Sequence, residues 1–288
     1  MKLSAYIEDY DNDKVLLTGL PKAGKSTLAA ELAEEFNLYW IDTEKGIKTL
    51  MKLPAEWQER INVCVLPDSA SYPIAAETLA IFFKTGKMNV CQLHGKHDCA
   101  ICKKSAPNDF TSWDLSQFTK KDILVLDTST QLGYSILAHV TRNKPVDYKP
   151  ERDDWGSLRK FTEFFASQFQ ALKCNFVCIS HIVESEMEDG KTKLVPAFGS
   201  KGMSASFAKA FDHVIYIEQK NGRHVAGSMT NYSGTVLTGS RTDFDITKEL
   251  GSDGKSKPSL IPIFTGAYGK NKELTPAETA LANISKLS

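Results

Sequence analysis

Residues 19–27 read Gly-Leu-Pro-Lys-Ala-Gly-Lys-Ser-Thr and fit the pattern G-x-x-x-x-G-K-[ST]. A short apolar run at 15–18 precedes this stretch, and the apolar spacing of 26–36 predicts a helix after it. Glycines in such a loop let backbone N–H groups turn toward phosphate oxygens, and the start of the following helix adds a favourable dipole. The stretch therefore predicts a phosphate-binding loop between a strand and a helix of an α/β fold.

The motif also predicts what individual residues do. We expect Lys25 to reach the β- and γ-phosphates of ATP and to act in catalysis, and the Ser26 hydroxyl to ligate Mg²⁺. A second Mg²⁺ ligand should end an apolar strand, as Asp127 does after Ile-Leu-Val-Leu at 123–126. The expected nucleotide-binding residues are Gly19, Pro21, Lys22, Ala23, Gly24, Lys25, Ser26 and Thr27.

Hydrolysis further needs a residue that orients or deprotonates the attacking water. Thr128 follows Asp127 directly, so the base must lie elsewhere. The best candidate is Glu44, in Trp-Ile-Asp-Thr-Glu at 40–44, which we expect at a strand end. Asp42 lies two positions earlier, and in an extended chain the two side chains point the same way. A solvated strand end is the alternative interpretation for either residue.

A second cluster of chemistry-bearing residues lies at 91–102, which reads Cys-Gln-Leu-His-Gly-Lys-His-Asp-Cys-Ala-Ile-Cys. Cys91 with His94 and Cys99 with Cys102 form two half-sites, each with two residues between its ligands. His97 can replace His94, and a redox pair or chance clustering are the alternatives. We expect structural Zn²⁺ with four protein ligands, which leaves no position open for catalysis.

Composition bounds the class of protein. The 288 residues carry 35 Lys+Arg and 35 Asp+Glu, so the formal net charge is zero and a polyanion must be held by local patches. No apolar run approaches the roughly 18 residues of a membrane-spanning helix, and the N-terminus does not resemble a signal peptide. We expect a cytoplasmic protein in a reducing compartment, which disfavours disulfides.

The order of segments predicts the architecture. Strand-like and helix-like segments alternate as far as residue 180, and strand-like runs joined by turns follow over 214–238. This order predicts an α/β fold with a doubly wound, mainly parallel sheet, antiparallel hairpins at its C-terminal edge and a small zinc-knuckle insertion. We expect a core over 1–246, with the insertion at 86–108, and a C-terminal loop and tail at 247–288.

Taken together, the motifs resemble the core of RecA-type recombinases. Gly-Leu-Pro-Lys-Ala-Gly-Lys-Ser-Thr, Trp-Ile-Asp-Thr-Glu, Ile-Leu-Val-Leu-Asp and Phe-Val-Cys-Ile-Ser-His come in the order and approximate spacing of that family. The resemblance covers roughly residues 14–245. It implies that Glu44 is the catalytic glutamate and that His181 senses the γ-phosphate, where recombinases usually have glutamine.

Three further stretches look like a phage-encoded ATP-binding subgroup of this family. They are Asp-Trp-Gly at 154–156, Phe-Gly-Ser-Lys-Gly at 198–202 and Phe-Asp-His-Val-Ile-Tyr-Ile-Glu at 211–218. The resemblance implies an oligomeric, Mg²⁺- and ATP-dependent ATPase that binds single-stranded DNA and promotes annealing or recombination in the cytoplasm of a host cell. Its implied partners are single-stranded DNA, further copies of the chain in a ring or filament, and a single-strand-binding protein.

In the RecA family two loops hold DNA, and here they correspond roughly to 142–156 and 183–203. Acidic residues offset much of the charge in both, so solvated surface loops are the alternative. Trp155 opens an amphipathic helix, where a core position is the more common role. The candidate DNA-binding residues are Arg142, Lys144, Lys149 and Arg152 in the first loop and Lys191, Lys193 and Lys201 in the second.

Two basic residues are candidates for reaching the nucleotide of a neighbouring subunit. Arg241 follows a late strand, where RecA-like hexameric ATPases carry such a finger, and Lys201 lies where filament-forming recombinases use lysines. A surface arginine is the alternative for Arg241. Other classes also remain open: a replicative helicase motor or its loader, a zinc-containing P-loop thymidine kinase, and a binding module that uses ATP only as a switch.

Overall fold

The computed structural model describes residues 12–66, 68–69, 72–145, 147–186, 190–220, 223–227, 236–241 and 258–266. The strands within these ranges are β1 (Lys14–Thr18), β2 (Asn37–Asp42), β3 (Ile61–Val65), β4 (Lys87–Cys91), β5 (Phe110–Asp114), β6 (Asp122–Asp127), β7 (Asn175–Ser180), β8 (Ile182–Glu186), β9 (Thr192–Pro196), β10 (His213–Lys220), β11 (Arg223–Gly227) and β12 (Gly239–Ser240). The α-helices are α1 (Lys25–Ala30), α2 (Ala55–Gln58), α3 (Ile74–Thr85), α4 (Ala100–Ser105), α5 (Ser129–Val140), α6 (Arg152–Ala171), α7 (Lys201–Phe207) and α8 (Ile261–Phe264).

The central sheet has the order β11-β10-β1-β7-β6-β2-β3, with β12 also paired to β10. All pairs from β10 through to β3 are parallel, whereas β11 and β12 run antiparallel to β10. The predicted α/β class, with a mainly parallel sheet and antiparallel strands at one edge, is confirmed. One detail differs from the sequence interpretation, because β10 itself pairs in parallel with β1.

Both faces of the sheet are covered, as a parallel sheet requires. Leu16 of β1 packs in the core formed with α3, α5 and α6, while its neighbours Val15 and Leu17 pack in the core formed with α1. Successive residues of a strand point to opposite faces, so the fully apolar strands serve two cores at once. The first core is rich in aromatic rings, such as Phe83 and Phe169 with centroids 4.9 Å apart.

The insertion forms its own small unit beside the main sheet. Strands β4 and β5 pair only with each other in the described part of the chain, and α4 lies between them in sequence. The Thr78 hydroxyl of α3 donates to the Gly95 carbonyl at 2.9 Å, which ties the turn after β4 to the core. The Cys/His stretch therefore sits on the helix that covers the sheet.

Of the segment expected as a tail, 247–288, the structure describes residues 258–266. Leu260 and Ile263 are buried in the core on the α1 side, and the Phe264 ring lies 6.0 Å from that of Phe36. This part of the segment therefore packs on the core. Among the described residues, no helix has the length and apolar character to cross a membrane.

Candidate functional site

The β10–β11 hairpin packs closely against both glycines of the phosphate-binding loop. Gly19 has a φ of 155°, and a Cβ there would lie 2.2 Å from the backbone oxygen of Ile217 in β10. Gly24 has a φ of 97°, in the left-handed region, and a Cβ there would lie 2.8 Å from Nδ1 of His224 in β11. Both positions therefore exclude a side chain for reasons of packing as well as backbone conformation.

Lys25 is buried at the start of α1, with its ammonium group inside the loop. Its Nζ donates to the carbonyl oxygens of Gly19 at 3.0 Å and Leu20 at 2.8 Å, and it lies 3.3 Å from Nδ1 of His181. Burial lowers the pKa of Lys25 to about 8, although the charges of Asp127 and Glu44 act in the opposite direction. The lysine thus lies where the motif requires it, held by acceptors that a phosphate could replace.

Asp127 ends β6 and is buried at the same edge of the sheet. Burial raises the pKa of its carboxyl to about 7, and the nearby Glu44 and Asp42 carboxylates raise it too, whereas the Ser26 side chain and Lys25 lower it. The Ser26 side chain is close enough to Asp127 to lower the pKa of its carboxyl, so the two expected Mg²⁺ ligands adjoin each other. Hydroxyl and carboxylate oxygens are hard ligands, and this donor set fits Mg²⁺.

Glu44 lies at the end of β2, in the turn that follows Asp42, and the chain from Asp42 to Glu44 turns where the sequence predicted an extended path. Its Oε1 accepts a hydrogen bond from the Thr128 hydroxyl at 2.6 Å and lies 3.3 Å from Nε2 of His181. The His181 contact lowers the pKa of Glu44, Thr128 adds to this effect, and partial burial opposes it. Glu44 is one-third exposed, so its ionised carboxylate is accessible to water.

Asp42 has a different part in the site. It is fully buried, and its two carboxylate oxygens accept from the backbone N–H groups of Glu44 at 3.0 Å, Gly46 at 3.0 Å and Ile47 at 3.1 Å. These three bonds hold the turn that carries Glu44. Asp42 therefore positions the candidate base.

His181 follows β7 and links the two halves of the site. A lysine ammonium can only donate hydrogen bonds, so Nδ1 of His181 must accept from Lys25 and the ring proton must lie on Nε2, facing Glu44. The His181 backbone N–H donates to the Thr130 hydroxyl at 2.9 Å, which fixes the residue against α5. The structure thus brings Lys25, Ser26, Glu44, Asp127 and His181 together at one edge of the sheet.

Arg241 lies in a network within its own chain. Its guanidinium donates to Oδ1 of Asp212 at 3.0 Å and to the Lys209 carbonyl at 2.8 Å, and about half of its side chain is exposed. Lys201 begins α7, but its side chain lies outside the described part of the structure. A contact of either residue with a neighbouring subunit stays a prediction.

Several of the candidate DNA-binding residues already have partners within the chain. Arg142 donates to Oε1 of Glu77 at 2.7 Å, and Lys144 Nζ lies 4.9 Å from the centre of the Tyr148 ring. Trp155, for which a core position was the expected role, is 44% exposed, because it lies on the solvent side of the first turn of α6. Among the other candidates, Lys149, Arg152 and Lys191 are exposed and Lys193 is half-buried, and Lys191 also has a contact within the chain.

The Cys/His stretch folds into a compact cluster of possible metal ligands. One ligand atom from each of Cys91, His94, Cys99 and Cys102 lies within 4.8 Å of the others. The His94 Nδ1 is 3.9, 3.5 and 3.1 Å from the sulfurs of Cys91, Cys99 and Cys102. A tetrahedral zinc ion with ordinary bond lengths places a nitrogen about 3.6 Å from each sulfur, so the cluster has the size of a zinc site.

His97, the alternative ligand, faces elsewhere. Its Nδ1 lies 3.1 Å from Oδ2 of Asp98, and its Nε2 lies 3.4 Å from the Lys87 carbonyl. All six cysteines of the chain are unpaired, and the three in the cluster are buried. The cluster could therefore bind zinc through three cysteines and His94.

Two contributors to the nucleotide site were not found from the sequence. Thr128 was noted only as a non-acidic neighbour of Asp127, yet its hydroxyl holds Glu44 and also accepts from the Gln131 N–H at the start of α5. His224 donates a hydrogen bond to the Ala23 carbonyl, although the two residues are 201 positions apart in the sequence. The pattern around 221–222 indicates a hairpin, but no local signal tells which loop atom the hairpin faces.

The strand–loop–helix geometry and the convergent site define a P-loop ATPase. Residues 11–242 match the AAA domain family, and the chain belongs to that family. No curated protein matches the chain. Among solved structures, it is similar to a prototypical ATPase from the type III secretion system of pathogenic bacteria, with 12% identity and a TM-score of 0.38 over 72% of this chain and 52% of that one. The chain thus spans about half the length of that ATPase.

Proposed function

We propose that this protein is a Mg²⁺-dependent ATPase that binds single-stranded DNA and promotes annealing or recombination, encoded by a phage and working as a ring or filament with ATP between subunits. The observation that carries the ATPase assignment is the contact of His181 with both Lys25 and Glu44. It joins a phosphate-binding group to a candidate base through one side chain.

In the proposed reaction Lys25 exchanges the Gly19 and Leu20 carbonyls for phosphate oxygens. Ser26 and Asp127 would hold Mg²⁺, which when bound neutralises charge on the β- and γ-phosphates. Glu44 orients the attacking water and accepts its proton, and its lowered pKa keeps it ionised for this task. The Nε2–H of His181 stabilises that carboxylate, and its Nδ1 contacts Lys25, so His181 would respond when Lys25 engages the γ-phosphate.

The connection of the site to DNA is proposed from chain order. His181 is followed directly by the β8–β9 hairpin, in which Lys191 precedes β9, and the Ala197 N–H donates to the His181 carbonyl at 2.8 Å. A shift of His181 on nucleotide binding would therefore move the base of this hairpin. Asp127 connects in the same way, through α5, to the first candidate loop.

The insertion is proposed to hold structural Zn²⁺ through Cys91, His94, Cys99 and Cys102. The unit has two short strands and one short helix, too little to form a substantial core, so the metal would supply most of its folding free energy. With four protein ligands no coordination position is left for substrate. With the metal bound, the insertion would be a rigid unit beside α3. Its surface would then carry Lys96, Lys103 and Lys104.

The proposal is tested by measuring ATP turnover with and without single-stranded DNA, with thymidine offered as phosphate acceptor in parallel. We expect Mg²⁺-dependent turnover that single-stranded DNA stimulates, and DNA binding that differs between ATP and ADP. Phosphorylated thymidine would replace the proposal with a nucleoside kinase. Turnover that ignores DNA, together with DNA binding that ignores nucleotide, would remove the recombination part and leave the ATPase.

A further inference from the structure

The imidazole of His224 lies directly against the phosphate-binding loop. Its Nδ1 is 2.8 Å from the Ala23 carbonyl oxygen, and its Nδ1, Cε1 and Cγ would lie 2.8, 3.1 and 3.2 Å from a Cβ on Gly24. His224 is on β11, in register opposite Gln219 of β10. Because a carbonyl can only accept, Nδ1 must carry the proton, which is the opposite tautomer to that of His181.

The carbonyl that His224 holds belongs to the same peptide group as the Gly24 N–H. In a planar trans peptide the C=O and N–H bonds point in opposite directions. Holding the Ala23 carbonyl toward His224 therefore turns the Gly24 N–H away from the hairpin, to the other side of the peptide plane. Gly24 has a positive φ and no side chain, so the loop itself does little to prevent this peptide from rotating.

We propose that His224 is a positioning residue for nucleotide binding: its Nδ1–H fixes the Ala23–Gly24 peptide so that the Gly24 N–H is already aimed at the phosphate before ATP arrives. The inference rests on the proposed nucleotide binding by this loop. A donor that removes one rotational freedom of the free loop raises affinity without touching the ligand. The effect belongs to binding, so it should change KM and leave kcat nearly unchanged.

Three substitutions separate the hydrogen bond from mere packing. In His224→Asn the side-chain amide can occupy the place of Nδ1, in His224→Gln it falls nearer the place of Nε2, and in His224→Ala the donor is lost. We expect ATP affinity close to wild type for Asn and a loss of about five- to tenfold for Gln and Ala, the usual effect of one hydrogen bond. Gln219→Ala is the matched control, because it shortens the exposed cross-strand partner on the same hairpin.

The measurements are the dissociation constant of Mg²⁺-ATP, kcat, and the tautomer of His224 by nitrogen NMR in the free protein. ATP affinity close to wild type in His224→Asn, together with a His224 ring protonated at Nδ1, supports the inference. It is overturned if Asn binds ATP as weakly as Ala, if Gln219→Ala loses as much affinity as His224→Ala, or if the proton is found on Nε2. If wild-type protein binds no nucleotide at all, the proposed function fails first, and that outcome is distinct from the others.

Discussion

The Nε2 atom of His181 lies 3.3 Å from Oε1 of Glu44, so the candidate sensor and the candidate base form one hydrogen-bonded pair. The other ring nitrogen faces the Lys25 ammonium, 3.3 Å away. A change in the position of Lys25 would therefore move the His181 ring and alter its contact with Glu44.

Glu44→Gln should remove the base and leave the binding groups intact. We expect kcat to fall by at least about 100-fold, the usual minimum for a general base, with little change in ATP affinity. Single-turnover hydrolysis and equilibrium nucleotide binding measure the two effects separately. Turnover at the wild-type rate would show that another residue activates the water.

His181→Gln should retain much of the activity, because an amide can donate to Glu44 and accept from Lys25 as the imidazole does. His181→Leu fills a similar space without either bond, and we expect kcat to fall about tenfold or more. It should also move the acid limb of the kcat profile to higher pH, since the His181 bond is the main cause of the lowered Glu44 pKa. Equal rates and equal acid limbs in the two variants would contradict the bridging role.

Affinity for Mg²⁺-ATP should depend on pH in the neutral range. Asp127, with a pKa of about 7, is protonated as pH falls through that value, and Lys25, with a pKa of about 8, loses its charge as pH rises through it. In the free protein Asp127 is ionised while Lys25 is still charged only between about pH 7 and pH 8, so kcat/KM should be highest in that range. Raising the Mg²⁺ concentration should extend tight ATP binding to lower pH, because the metal competes with the proton for the Asp127 carboxylate.

Asp127→Asn supplies the control for this pH dependence. We expect the variant to bind Mg²⁺-ATP weakly at all pH values and to lack the acid limb. A wild-type affinity that stays constant over about two pH units below neutrality would exclude a raised pKa for Asp127.

Gly19→Ala should prevent the hairpin from packing on the loop. The added Cβ would lie 2.2 Å from the Ile217 backbone oxygen, which cannot rotate aside, so we expect a loss of more than about 2 kcal/mol in the free energy of unfolding. Gly156→Ala is the comparison, because Gly156 lies in α6 and a Cβ there would meet no described atom within 4 Å beyond its own stretch of helix. That change should stabilise the protein by about 0.5–1 kcal/mol, as measured by urea denaturation.

Metal analysis should find about one zinc per chain, held by three cysteines and one histidine. His94→Ala should lose the metal, whereas His97→Ala should keep it, since His97 contacts Asp98 and the Lys87 carbonyl. Chelation should lower the melting temperature and added zinc should restore it. Cobalt in place of zinc should give the absorption of a tetrahedral thiolate site. Loss of zinc from both variants, or a folded protein without metal, would contradict this assignment.

The parts of the site that were predictable depend on local rules. The loop at 19–27 and Asp127 each follow from a short motif or from the end of an apolar strand. Strand pairing then brings Asp42 opposite Asp127 in adjacent parallel strands. The turn at Glu44 was less predictable, because three backbone bonds to Asp42, and not strand periodicity, decide its path.

Long-range contacts account for what the sequence could not reveal. Ligand spacing allows His94 or His97 equally, and only the fold of the turn directs His94 to the cysteines. Arg142 has the charge for DNA but pairs with Glu77, which is 65 positions away. His224 and Ala23 are 201 positions apart, and no pattern in either segment indicates that they meet.

The contact between Gly19 and the Ile217 carbonyl has a consequence for sequence change in this region. Since β10 pairs with β1 in fixed parallel register, inserting or deleting one residue in β10 would bring a different atom against the loop. Length variation in evolution or engineering should therefore concentrate beyond residue 220. For the same reason, if the nine-residue loop were grafted onto another sheet, the neighbouring strand would have to leave the same close approach to Gly19.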